Sequence, residues 1–200
     1  HNQKQINRYA RSKGKEMVVA LVGYTNAGKT TLFNYLTQNN LYAADKPFAT
    51  LDSVTRKNSK QELQHILFSD TVGFISNLPT QLIESFKATL DDLSSADLLL
   101  HVVDISDKDH RFKVKEVEKI LKDLDLSDKL LIRVNNKTDK LDISSLNEIS
   151  QESSDQVWIS STAQKGFASL YDAINTKLKG KITTNSVSYT HLTLPTIGEV

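Results

Sequence analysis

The chain has 200 residues, with 25 basic against 24 acidic side chains and a formal charge of +1. That length fits one domain with a substantial core, and the balance means bulk charge argues for neither a nucleic-acid nor a membrane partner. The absence of cysteine excludes disulfide stapling, a thiol nucleophile and Cys-ligated zinc, and no apolar run approaches the ~20 residues of a membrane span.

Lys4, Arg8, Arg11, Lys13 and Lys15 crowd the first stretch, with Glu16 its one acid, and residues 1–16 read as a solvated basic linker or helix, with a nucleic-acid contact as the alternative. "EMVVALVG" is rich in β-branched residues and predicts a buried strand closed by Gly23. "GKTTLFNYLTQ" sets Leu32, Phe33 and Leu36 at helical spacing. Residues 39–53 carry no period and read as a loop. "SVTRKNS" and "QHILFSD" predict two paired strands. "LPTQLIESFKATLDDL" predicts an amphipathic helix with Pro79 near its start. "DLLLHVVDI" predicts another buried strand, and Val114, Val117, Ile120, Leu121 and Leu124 mark a further helix. "KLLIRVNN" and "DQVWISS" are strands, with residues 141–151 weakly helical between them. "ASLYDAINTKL" closes the series with Leu170, Ile174 and Leu178 in register. Strands alternating with helices predict an α/β fold, a mostly parallel sheet with helices on both faces. The domain is expected to span residues 17–181, leaving 182–200 as a tail. From about residue 186 the tail, "SVSYTHLTLPTI", resembles translated sequencing-adapter read-through and is expected to be non-native.

"GYTNAGKT" matches G-x-x-x-x-G-K-[ST] between a strand and a helix, which makes the chain a P-loop nucleotide binder. Gly23 and Gly28 let the backbone turn and approach phosphate oxygens. The N–H groups of the loop through Tyr24, Thr25, Asn26 and Ala27 then point at the anion, where the helix dipole favours it. Lys29 is expected to neutralise the β/γ-phosphates, Thr30 to ligate Mg²⁺, and Thr31 to contact phosphate at the helix start. This loop alone does not choose between ATP and GTP.

"NNKTD" supplies that choice by matching N-K-x-D. The Asp139 carboxylate can accept from both donors on the guanine edge, whereas adenine would leave a charged acceptor unpaired at roughly 1.5–3 kcal/mol per lost bond. Asn136 is expected to tie this loop to the phosphate loop, and the Lys137 stem to lie along the base. In "SDTVG", Asp70 is expected to hold Mg²⁺ through water; Thr71 and Val72 lead to Gly73, whose N–H would sense the γ-phosphate. Thr50 in "FATLD" is placed to complete the Mg²⁺ shell. Lys29, Thr50 and Gly73 are the candidates for acting on the transferred group. Ser160, Ser161 and Thr162 of "WISSTAQKG" stand where a Ser-Ala-Lys loop would support the guanine O6 by backbone donation. His101, inside "LLLHVVD", reads as a core histidine.

With phosphate loop, "FATLD", "DTVGFISNLP", "NKTD" and "SST" in this order, the chain resembles the G domain of the HflX family of GTPases from about residue 6 to 180. "YAADKPFATLD", "FKATLDDL" and "ADLLLHVVD" add to the likeness. The resemblance implies a small-GTPase-like G domain, binding GTP and GDP with Mg²⁺. It also implies a cytoplasmic protein that associates with the large ribosomal subunit, in some members to split stalled or stressed ribosomes; a monomer is expected. No DNA partner is expected. Family members carry a domain ahead of the G domain, so the chain reads as a fragment whose residues 1–16 are the end of a linker.

Many small GTPases place a glutamine after D-x-x-G to orient water; here the residue is Phe74. Intrinsic turnover is therefore expected to be slow, on the order of ~10⁻⁴ s⁻¹, with water positioned by another group or a partner. Asn26 sits where several such GTPases bind K⁺ near the phosphates, and K⁺ is expected to accelerate turnover. Two alternatives stay open: a G domain of another family, such as the tRNA-modification type, and a nucleotide-dependent interaction module without useful turnover.

Overall fold

The computed structural model describes residues 16–38, 54–57, 63, 65–71, 93–142 and 155–187, with the backbone alone for 180–187. The described elements in chain order are β1 (Met17–Val22), α1 (Lys29–Thr37), β2 (Val54–Lys57), β3 (Ile66–Asp70), β4 (Leu98–Asp104), α2 (His110–Asp123), β5 (Leu131–Asn136), a 3₁₀ turn (Thr138–Lys140), β6 (Gln156–Trp158) and α3 (Phe167–Val187). The helix predicted over residues 78–93 and the weak one over 141–151 lie outside the described residues, apart from their edges.

The six strands form one sheet in the order β2-β3-β1-β4-β5-β6. β1 pairs in parallel with β3 and β4, and β4, β5 and β6 follow in parallel. Only β2 runs antiparallel, with Val54 opposite Asp70. This is the mostly parallel sheet that alternating strands and helices predict. The inner strands are apolar on both faces because both faces are covered. Leu98, Leu100 and Val102 turn toward Leu32, Phe33 and Leu36 of α1 and Leu170, Ile174 and Leu178 of α3. Leu99 turns toward Val117 and Leu121 of α2 on the other face. Each such side chain, fully buried, stabilises the fold by about 1.5–3 kcal/mol. Tyr35 of α1 stacks on Phe167 of α3 with ring centroids 3.8 Å apart, joining the helices of one face.

α3 continues to Val187, beyond Leu178, where the apolar register that predicted it ends. Helical hydrogen bonding carries on past that register through residues 179–187.

β1 has β3 on one side and β4 on the other, so the sheet order reverses there. The loop leaving β1 therefore opens into the crevice at the carboxyl ends of the strands, where open α/β sheets take their ligands.

Candidate nucleotide site

The first turn of α1 is built to receive something. Gly28 caps it with φ 92°, no side chain caps it, and no acid stands in the turn. With a glycine cap and no acid of its own in the turn, this end of α1 presents the positive end of the helix dipole, which favours an anion. A side chain at position 28 is barred twice over. Its φ is left-handed, and a Cβ there would lie 2.3 Å from Asn136 Nδ2. At Gly23 a Cβ would lie 2.3 Å from the Val102 carbonyl oxygen, so the loop presses on β4.

Lys29 is buried and folds back over the loop, donating to the carbonyls of Gly23 (3.2 Å) and Tyr24 (3.1 Å). Burial pushes its pKa down to about 8, and the neighbouring Asp70 carboxylate opposes that shift. Thr30 donates its hydroxyl to Asp70 Oδ2 at 2.8 Å, bringing α1 and β3 together. Thr71 is buried and its hydroxyl donates to Leu21 O at 2.5 Å, which pins the end of β3 to β1. Thr25 and Thr31 are half-buried along the loop and helix start, and Asn26 is exposed at the crest with φ 63°.

Asn136 ends β5 and is almost wholly buried. Its Nδ2 donates to Ala27 O at 3.0 Å, and its Oδ1 accepts from Ser161 N–H and Ser161 Oγ, each at 3.0 Å. One amide thus straps the phosphate loop to the loops after β5 and β6. Lys137 donates to Asn26 O at 2.9 Å and pairs with Asp104 at 2.7 Å. Asp139 is exposed and accepts a hydrogen bond from the Ser160 hydroxyl. Thr138 fixes the turn between them through Ile159 O at 3.0 Å.

The structure thus gathers Gly23 to Thr31, Asp70, Thr71, Asn136, Lys137, Asp139, Ser160 and Ser161 at one end of the sheet. Two backbone donors of the 160–162 stretch are already engaged: Ser160 N–H by Lys165 O at 3.1 Å and Ser161 N–H by Asn136. Thr162 follows, exposed. Thr50, Val72, Gly73 and Phe74 lie outside the described residues.

His101 is 1% exposed, and its pKa falls to about 3, chiefly through burial, then through the charges of Arg133 and Lys29. It is a neutral core histidine at neutral pH. It lines a cavity of about 80 Å³ between the outside of the phosphate loop and the start of α2. There Lys113 lies 5.1 Å from the centroid of the Tyr24 ring and is paired with Asp107. Asp104, the last residue of "ADLLLHVVD", joins this end of the sheet although the sequence assigned it no role. Its one sequence signal is a carboxylate closing an apolar strand.

The arrangement matches known proteins. A family model described as a 50S ribosome-binding GTPase matches residues 18–137. GTPase HflX of Caldanaerobacter subterraneus is 42% identical over 175 residues, 88% of this chain and 40% of that protein. GTPase HflX of Escherichia coli is 37% identical over 182 residues, 90% of this chain and 43% of that protein. The chain thus spans about two-fifths of the length of these curated relatives. A GTP-binding protein from the archaeon Sulfolobus solfataricus, solved in complex with GDP, superposes with a TM-score of 0.61 at 26% identity, over 89% of this chain and 57% of that one.

Proposed function

The chain is an HflX-type G domain of the 50S ribosome-binding GTPase family, and from that membership we propose that it binds GTP and GDP and hydrolyses GTP as a slow molecular switch. In this reading it works in the cytoplasm on the large ribosomal subunit, in ribosome splitting or rescue under stress. The observation that carries the nucleotide assignment is the Asn136 strap, which draws the phosphate loop and both base-side loops to one place.

Each residue then has a task. The N–H groups of Gly23 to Thr31 hold the phosphates, and Lys29 neutralises them. Asp139 takes the guanine edge, kept in orientation by Ser160. Because Ser161 N–H is committed to Asn136, support for the guanine O6 falls to its neighbour Thr162. A hydroxyl and a carboxylate 2.8 Å apart, from Thr30 and Asp70, form the hard-oxygen donor set that suits Mg²⁺. These two residues would hold the ion, whose positive charge would offset the charge developing on the phosphate oxygens. In this reading Thr50 completes the Mg²⁺ shell, the Gly73 N–H senses the γ-phosphate, and Asn26 assists a K⁺ ion. Phe74 leaves water positioning to another group or to the ribosome.

The test is GTP turnover by a chain extended to its relatives' full length, with and without purified large subunits, in K⁺ and in Na⁺. Slow turnover alone, stimulation by the subunits and faster rates in K⁺ are expected. Tight binding without stimulated turnover would favour the interaction-module alternative. Equal rates in the two salts would remove the K⁺ role.

A further inference from the structure

Asp104 closes β4 opposite Asn136, the last residue of β5. Its two carboxylate oxygens are divided between tasks. Oδ1 accepts from Ser106 N–H at 3.1 Å and from Ser106 Oγ at 2.6 Å. Oδ2 lies 2.7 Å from Lys137 Nζ, with the lysine and aspartate side chains 17% and 19% exposed. The same ammonium donates to Asn26 O at the crest of the phosphate loop. Lys137 itself stands in a left-handed conformation, φ 65°, where the chain leaves the sheet for the 3₁₀ turn. Three segments therefore meet on one nitrogen: the end of β4, the phosphate loop and the loop after β5.

We infer that Asp104 is a positioning residue for the nucleotide, holding the Lys137 side chain in the one orientation that lets it lie against the base and latch the phosphate loop. The inference rests on the proposed role of Lys137 in the guanine site. A lysine stem has several rotatable bonds and a strongly hydrated head, so a single carbonyl acceptor is a weak anchor for it. A carboxylate gives it a charge-assisted partner of fixed direction. Ser106 makes that direction fixed, because two hydrogen bonds to Oδ1 settle the carboxylate rotamer before the lysine arrives. Without the carboxylate the ammonium keeps only Asn26 O, and its free alternative is water. The nucleotide then bears the cost of ordering the stem on binding, which shows mainly as faster release.

The experiment measures dissociation of a fluorescent GDP analogue from the full chain, with Mg²⁺ present, for wild type, Asp104→Asn, Ser106→Ala, Lys137→Ala and the two double variants containing Lys137→Ala. Asp104→Asn keeps the shape and the acceptor for Ser106 but loses the charge. It is expected to release the nucleotide about threefold to fivefold faster, the scale of one part-exposed ion pair, with its urea midpoint close to wild type. Ser106→Ala leaves the charge in place and is expected to shift release in the same direction by a smaller factor. In the Lys137→Ala background both substitutions should have no further effect. That non-additivity separates positioning through Lys137 from general support of the β4–β5 edge, which would act equally in either background. Wild-type release from Asp104→Asn, or additive effects with Lys137→Ala, overturns the inference. Failure of the wild-type chain to bind guanine nucleotide overturns the reading on which it rests.

Discussion

Asn136→Ala removes one amide that serves the phosphate loop and the loop after β6 together, so its effect can be worked from the contacts. The side chain is buried, and its loss strands Ala27 O, formerly 3.0 Å from Nδ2, and Ser161 N–H, formerly 3.0 Å from Oδ1. The Ser161 hydroxyl can rotate to another acceptor, but the two backbone groups cannot. A buried group left unsatisfied costs about 1–3 kcal/mol, so the pair is expected to cost about 3–5 kcal/mol. Against a typical total of about 5–15 kcal/mol this is a large share. With an m-value of about 2 kcal/mol/M, the urea midpoint should fall by roughly 2 M. Guanine-nucleotide affinity should fall as well, since the strap aligns the two loops. Asn136→Asp is a sharper version: it retains an acceptor for Ser161 but sets a charge against Ala27 O, and should do at least as much harm. A midpoint loss equivalent to under about 1 kcal/mol, with unchanged GDP affinity, would refute the reasoning that this amide is structural and functional at once.

Gly28→Ala should weaken nucleotide binding by about two orders of magnitude, combining left-handed strain of ~1–2 kcal/mol with displacement of Asn136; affinity within a few-fold of wild type by calorimetry would contradict it. His101 has a folded pKa of about 3 against 6.5 unfolded, so the unfolded state binds the extra proton, and stability is lost as pH falls from 6.5 toward 3. The slope is ~1.4 kcal/mol per unit, or about 2 kcal/mol between pH 6.5 and 5, and His101→Gln should flatten that part of a urea-midpoint profile; parallel profiles would exclude it. Lys29, lowered from 10.5 to about 8 by burial, carries a penalty present below pH 8 and relieved as pH rises toward 10.5. Phosphate should restore its charge, so GDP binding at pH 8 should take up a net proton fraction of about one half, detectable by calorimetry in buffers of different ionisation enthalpy. Zero uptake at pH 8 would show that this lysine stays fully charged in the free chain.

The sheet was legible in the sequence because burial on both faces turns its inner strands into unbroken apolar runs, as in "VVALV" and "DLLLHVV". The residues gathered at the site were legible because each lies within a short motif, and a motif is a statement about neighbours along the chain. Asp104 was not, because its engagement with Lys137 follows from the register of β4 on β5, and register is a relation between distant segments. The commitment of Ser161 N–H to Asn136 was hidden for the same reason. The last helix was legible only as far as Leu178, since apolar spacing reports the face that is buried and is silent about helix that continues past the last apolar position.

The fold of Lys29 over its own loop bears on how fast a ligand is captured. Its ammonium gathers the carbonyls of Gly23 and Tyr24 on one side, and a peptide that turns its oxygen one way turns its hydrogen the other. The lysine therefore acts as a peg that holds the amides facing outward before any anion arrives. A loop tensioned in this way has little searching left to do, so encounters are converted into complexes with little delay. The lifetime of the complex is left to the latch on the base side.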